Sequence, residues 1–246
     1  MRYHDTHFHL DLMPNPEGIA EKIEQNKVYT IAVTNSPTVF FYTEKISLNK
    51  RFLRPALGLH PELAFERQNE IDQFIKLLPK AKYIGEIGLD NFKKSPENFK
   101  TQKLVFEKII EACDKEGGKI LTIHSRKAEK EVLNIIGDKF SGKIILHWYS
   151  GSLRELDRAI SIGAYFSINH SMTKSKNGQK IIERIPLNKL LIETDGPFTS
   201  LNSKPFIPTS VDIILDSLVR LKSNHENSDI VRERILKNFY DLINVN

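Results

Sequence analysis

The chain has 246 residues, 40% apolar and 27% charged, a balance too apolar for a disordered protein. Its 36 basic and 31 acidic residues leave a net charge of +5, a mild lean toward anionic partners. No apolar stretch approaches the roughly 18 residues of a membrane span, residues 1–13 lack a signal-peptide core, and the single cysteine excludes a disulfide framework and a cysteine-based metal site; a cytoplasmic enzyme is the expectation.

Along the chain, short β-branched runs alternate with longer helical patterns. Strands are expected near 2–7, 28–34, 53–59, 82–88, 119–124, 143–147, 164–168 and 189–195. In 97–116, Phe99, Leu104, Phe106, Ile109, Ile110 and Cys113 recur at helical spacing. In 208–222, Val211, Ile214, Leu215, Leu218, Val219 and Leu221 do the same. Strand ends near 7, 34, 60, 86, 124, 147, 169 and 195 lie 22 to 38 residues apart. A βαβ unit takes roughly 30 residues. Eight consecutive units in a chain of this length predict an α/β protein, a (β/α)8 TIM barrel forming one domain over 1–246. An open doubly wound sheet normally has a Gly-rich first turn, and none follows residue 10.

In such a barrel the C-terminal strand ends form the catalytic face. His7, His9, Glu86, His124, His147 and Asp195 all fall there, as does His60. Imidazoles and carboxylates crowded into one mouth are costly unless paired or bound to metal. In a strand, residues i and i+2 face the same side, so His7 and His9 can reach one ion. Histidine with carboxylate suits Zn, Mn, Fe, Co or Ni. His4 and His225 are read as outside the site; His170, at the seventh strand end, is a candidate to line it. Two basic clusters, Lys93, Lys94, Lys100, Lys103 and Lys174, Lys176, Lys180, Arg184, are read as solvated helix faces.

In order, DTHFHLD at 5–11, GLHP at 58–61, GEIGLD at 85–90, IHSR at 123–126, HWYSG at 147–151 and ETDGP at 193–197 resemble the signature blocks of the TatD-type metal-dependent nucleases. The tail ILKNFYDLI at 235–243 resembles that family's C-terminal helix. The resemblance implies a TIM barrel that binds two divalent ions (Mg, Mn or Zn) and hydrolyses phosphodiester bonds in DNA, generally from the 3′ end of single strands. It further implies that His7, His9 and Asp195 hold one ion, that His124 and His147 hold the other, and that Glu86 bridges them. Glu86 and Asp195 are then the catalytic carboxylates, Asp195 orienting or deprotonating water. His60 and Arg126 are expected to contact the phosphate. Exposed aromatics suit base stacking. Trp148 and Tyr149, directly after His147, are expected to touch substrate, with Phe92 and Tyr42 as further candidates; Phe40 and Phe41 are read as helix-to-barrel packing.

The sequence departs from the family pattern twice. His60-Pro61-Glu62 stands where members often have His-Pro-His, and an inward Glu62 would weaken phosphate contact. After ETDGP the chain shortens to FTSLNSKPFIP, with Lys204 its only basic residue. This compact form is also similar to TatD-like subunits of bacterial anti-phage operons, which implies antiviral defence and protein partners. Two other readings compete: an amidohydrolase-type hydrolase, disfavoured because those sites bridge through a carboxylated lysine on the fourth strand, and a non-catalytic docking subunit.

Overall fold

A computed structural model of the chain describes residues 3–223 and 227–244. Eight parallel strands run in chain order: β1 (Tyr3–Phe8), β2 (Val28–Ala32), β3 (Leu53–Leu57), β4 (Tyr83–Gly88), β5 (Ile120–His124), β6 (Lys143–His147), β7 (Tyr165–Ile168) and β8 (Leu190–Ile192). Helices alternate with them, which makes the expected (β/α)8 barrel. Caps fix the helix starts. Asn15 accepts the Gly18 N–H before Pro16–Asn26, and Ser36 accepts the Val39 N–H before Pro37–Ser47. The long helix Pro96–Glu116 buries Val105, Phe106, Ile109, Ile110 and Cys113, although Leu104 of the expected apolar stripe is 52% exposed. No helix among the described residues is long and apolar enough to cross a membrane.

Ile31, Ala56, Tyr83, Ile120, Ile145 and Leu191 form one buried cluster, to which the last helix (Ser228–Ile243) adds Phe239 and Leu242. Alternation carries that face upward: Ile120 leads through Thr122 to His124, and Ile145 leads to His147. Register shifts interrupt β1 between Asp5 and Phe8 and β4 between Ile84 and Ile87. These irregularities fall where His7 and Glu86 sit and re-aim both side chains toward the mouth. Where β8 was expected to run to 195, it stops at Ile192. Beyond it, Thr194 N–H turns to the Asp5 carboxylate (3.0 Å) and Asp195 N–H to the His7 carbonyl (2.9 Å). The shortened segment after ETDGP is a hairpin, β9 (Ser200–Leu201) and β10 (Lys204–Pro205), turned by Asn202 and Ser203 at positive φ.

The seam between β1 and β8 is closed partly by side chains. Ile192 N–H donates to His4 Nε2 at 3.2 Å, and the Thr6 hydroxyl donates to the Ile192 carbonyl at 3.1 Å. His4 is fully buried and stacks on Phe239 at 4.6 Å. Burial lowers its pKa from 6.5 to about 3, so the folded ring is neutral and free to accept. Below pH 6.5 the unfolded chain binds a proton here that the fold refuses. This contribution to stability is therefore complete above pH 6.5 and is lost as pH falls toward 3. His4→Phe keeps a ring against Phe239 but leaves the Ile192 N–H unsatisfied, which is expected to cost about 1–3 kcal/mol at pH 7. That deficit should shrink by pH 5, because only the wild type has a buried imidazole to protonate at this position. Urea unfolding at both pH values checks this; parallel stability curves would reject it.

Candidate metal centre

Glu86 stands at the centre of the barrel mouth, 2% exposed. Its Oε2 lies 3.4 Å from His7 Nε2 and 3.3 Å from His9 Nε2. Its Oε1 lies 2.7 Å from His124 Nδ1, 2.8 Å from His147 Nε2 and 3.4 Å from His60 Nε2. Asp195 Oδ1 joins the first group, 3.8 Å from His7 Nε2 and 3.6 Å from His9 Nε2. One carboxylate thus shows a separate oxygen to each of two donor groups. The six residues singled out at four strand ends and the turns that follow β1 and β8 meet at one point.

The chemistry of the donors suits divalent metal. Asp195 Oδ1 is buried, and among the described residues no group donates to it. Carboxylate oxygens and imidazole nitrogens facing each other at these distances call for a cation between them, either a proton or a metal ion. Proton affinities follow. Burial lowers that of His9, but the neighbouring Asp195 and Glu86 carboxylates outweigh it and raise the pKa to about 9. Burial also opposes charge on His124 and His147, yet Asp90 and Glu86 raise the first, and Glu86 with Glu193 raises the second. His7 is buried with its ring stacked 3.8 Å from His147, and its pKa falls to about 3. Burial pushes Glu86 up; the imidazoles of His60, His147 and His7 and the hydrogen bond with His124 prevail and hold it well below the usual range.

Two carboxylates that sequence analysis left without a role hold the histidines in place. Asp90 Oδ2 is 2.7 Å from His124 Nε2, so the ring donates there and turns Nδ1 toward Glu86. Glu193 is fully buried and accepts from the Ser167 hydroxyl, the Asn169 amide (3.1 Å) and Trp148 N–H (3.1 Å), and it lies 3.7 Å from His147 Nδ1. Both belong to the blocks already noted, within four residues of a candidate ligand. That proximity was the available signal. Glu62 N–H donates to His60 Nδ1 at 3.1 Å, which leaves Nε2 as the ring nitrogen facing Glu86. The Glu62 carboxylate pairs with Lys93 at 3.2 Å on the edge of the mouth.

The mouth is a cavity of about 520 Å³ bordered by His60, Glu62, Arg126, Trp148 and Phe198. Arg126 lies 3.7 Å over the Phe92 ring, which fixes its guanidinium plane. Trp148 borders the mouth as expected, but Tyr149 does not. The backbone turns at Trp148 (φ 37°), which sends Tyr149 inward against Phe166, with its hydroxyl on the Ser152 carbonyl. Phe40 packs in the core, whereas Phe41 is 47% exposed and Tyr42 bonds Glu17 on the helix surface. His170 packs against Phe206 and does not border the cavity. His225 lies outside the described residues. Of the second basic cluster, Arg184 pairs with Asp157, while Lys174, Lys176 and Lys180 are exposed on helix surfaces.

Comparison with known proteins identifies the family. YabD of Bacillus subtilis, a protein named as an uncharacterised metal-dependent hydrolase, is 32% identical, covering 89% of this chain and 90% of that protein. The human protein named deoxyribonuclease TATDN3 is 26% identical, covering 96% and 93%. The solved structure of YjjV, a TatD homolog of Escherichia coli, shares the fold over 100% of this chain and 99% of its own, with a TM-score of 0.84 at 24% identity. The sequence profile of the family described as TatD related DNase matches residues 4–244, and the chain is a metal-dependent hydrolase of that family.

Proposed function

We propose that this protein is a two-metal phosphodiesterase that trims single-stranded DNA from its 3′ end. The observation that carries the reading is Glu86, whose two oxygens each serve a different donor group. In this scheme His7, His9 and Asp195 would hold one ion and His124 and His147 the other, with Glu86 shared between the two sets. Two divalent ions supply Lewis acidity when bound, polarising the phosphoryl group and acidifying water. The chain's own residues do the rest. Asp195 Oδ1, with no protein donor, accepts the proton of the attacking water. His60 donates its Nε2–H to a phosphoryl oxygen, and Arg126, braced on Phe92, adds fixed positive charge. Asp90 and Glu193 orient His124 and His147. DNA as substrate draws support from the human relative named as a deoxyribonuclease. The amidohydrolase-type reading is weaker, since a glutamate stands where those sites use a carboxylated lysine.

The test is hydrolysis of end-labelled single-stranded DNA. Protein supplied with Mg or Mn is expected to shorten the strand from its 3′ end, chelator to stop it, and added Mn to restore it. Metal-dependent cleavage of amide substrates with intact DNA would overturn the proposal.

A further inference from the structure

We propose that Phe198 is the stacking wall for the terminal base of the strand, and so a determinant of specificity for single-stranded ends; this rests on the phosphodiesterase reading above. Phe198 is 60% exposed, and its ring stands perpendicular to the His9 imidazole with centroids 5.0 Å apart. Trp148 also borders the mouth, but among the described residues Phe198 is the aromatic side chain other than histidine whose ring meets His9. An aromatic ring left in water at a polar mouth contributes nothing to the core.

Its backbone is nevertheless held firmly. Thr199 N–H donates to the Asp195 carbonyl at 3.2 Å, the Thr199 hydroxyl donates to the Thr194 carbonyl, and His9 N–H donates to the Gly196 carbonyl at 3.1 Å. Phe198 is therefore tied to the turn that carries Asp195 and to the segment that carries His9. A ring whose backbone is anchored beside the donor groups is positioned for a flat partner.

The mouth also borders a second flat group, the Arg126 guanidinium over Phe92, on the side of His124. At about 520 Å³ the cavity has the size of a small-molecule site. A strand can reach the donor groups by feeding an unstacked nucleotide between these planes, which a paired end does only at the cost of opening. Stacking on an aromatic ring is indifferent to base identity, because every base has a π-face. The wall thus selects for an unpaired end without reading sequence.

The experiment compares the wild type with Phe198→Ala, Phe198→Tyr and Leu48→Ala, an exposed control at the far end of the helix Pro37–Ser47. Each is assayed on a single-stranded oligonucleotide and on the same strand with an abasic 3′-terminal residue. Phe198→Ala is expected to lower kcat/KM on the intact strand by roughly 10- to 100-fold, mainly through KM. Phe198→Tyr should recover most of that loss, and the abasic strand should be cut slowly and equally by wild type and Phe198→Ala. A 2-aminopurine at the terminal position should be quenched on binding the wild type in chelator and not on binding Phe198→Ala. Equal losses on intact and abasic strands, or an unchanged KM, would overturn the assignment. A wild type that cuts neither strand counts against the phosphodiesterase reading instead.

Discussion

Glu86→Gln is expected to lower DNA hydrolysis by on the order of 10⁴-fold, taking about 10² for each of the two disturbed donor groups. The amide keeps the shape of the side chain and one oxygen, but it cannot present an anionic oxygen to both sides. Oε2 faces His7 and His9, while Oε1 faces His124 and His147, so no single rotamer of glutamine restores both. Metal content should fall from two equivalents to one or fewer per chain, measured by elemental analysis after dialysis. Thermal unfolding supplies a readout free of substrate. A ligand bound only by the folded state stabilises it by about 2.7 kcal/mol at 100 times its Kd. The wild-type Tm should therefore rise steeply with added Mn, and that rise should be largely lost in Glu86→Gln. A variant that keeps two equivalents and its activity would remove Glu86 from the bridging role. The metal-free variant also has to be measured, because withdrawing this anion removes one of the two carboxylates that favour the protonated forms of His124 and His147, leaving Asp90 and Glu193.

Much of the fold was legible because a repeating βα pattern is written in local periodicity, and every strand end lay close to its expected place. The six convergent donors were legible for a related reason: a barrel sends all its strand ends to one mouth, so position alone gathers residues far apart in sequence. What escaped the reading depends on contacts that no spacing encodes. Asp90 meets His124 across 34 residues, and Glu193 meets Trp148 across 45. Tyr149 was misplaced for a local reason, the positive φ at Trp148, which reverses the direction of the next side chain. Phe198 drew no notice because the segment around it reads as a shortened, arginine-free loop. Its position becomes visible only once the Thr199 hydrogen bonds tie it to the Asp195 turn. His170 was too near a strand end to dismiss from sequence, and its contact with Phe206 settles its place.

Asp195→Asn separates the two roles proposed for one side chain. Asp195 sits at φ 51°, a left-handed conformation that asparagine tolerates well, so the substitution preserves the turn. Its backbone bonds to His7 and Thr199 do not involve the side chain and should survive. The side chain loses its charge and with it the capacity to take a proton from water. General-base removal typically costs about 10² to 10⁴ in rate. The expected result is a kcat lower by that range with KM for DNA changed less than about threefold. Metal titration then discriminates. His7, His9 and Glu86 remain as donors, so excess Mn should refill the first donor group in the variant, as a recovered metal-dependent rise in Tm would report. If Asp195 acts on water, refilling will not restore kcat. If it serves only as a ligand, saturating Mn will return the rate toward wild type. The buried, unpartnered Oδ1 is consistent with either role, so the Mn titration decides between them.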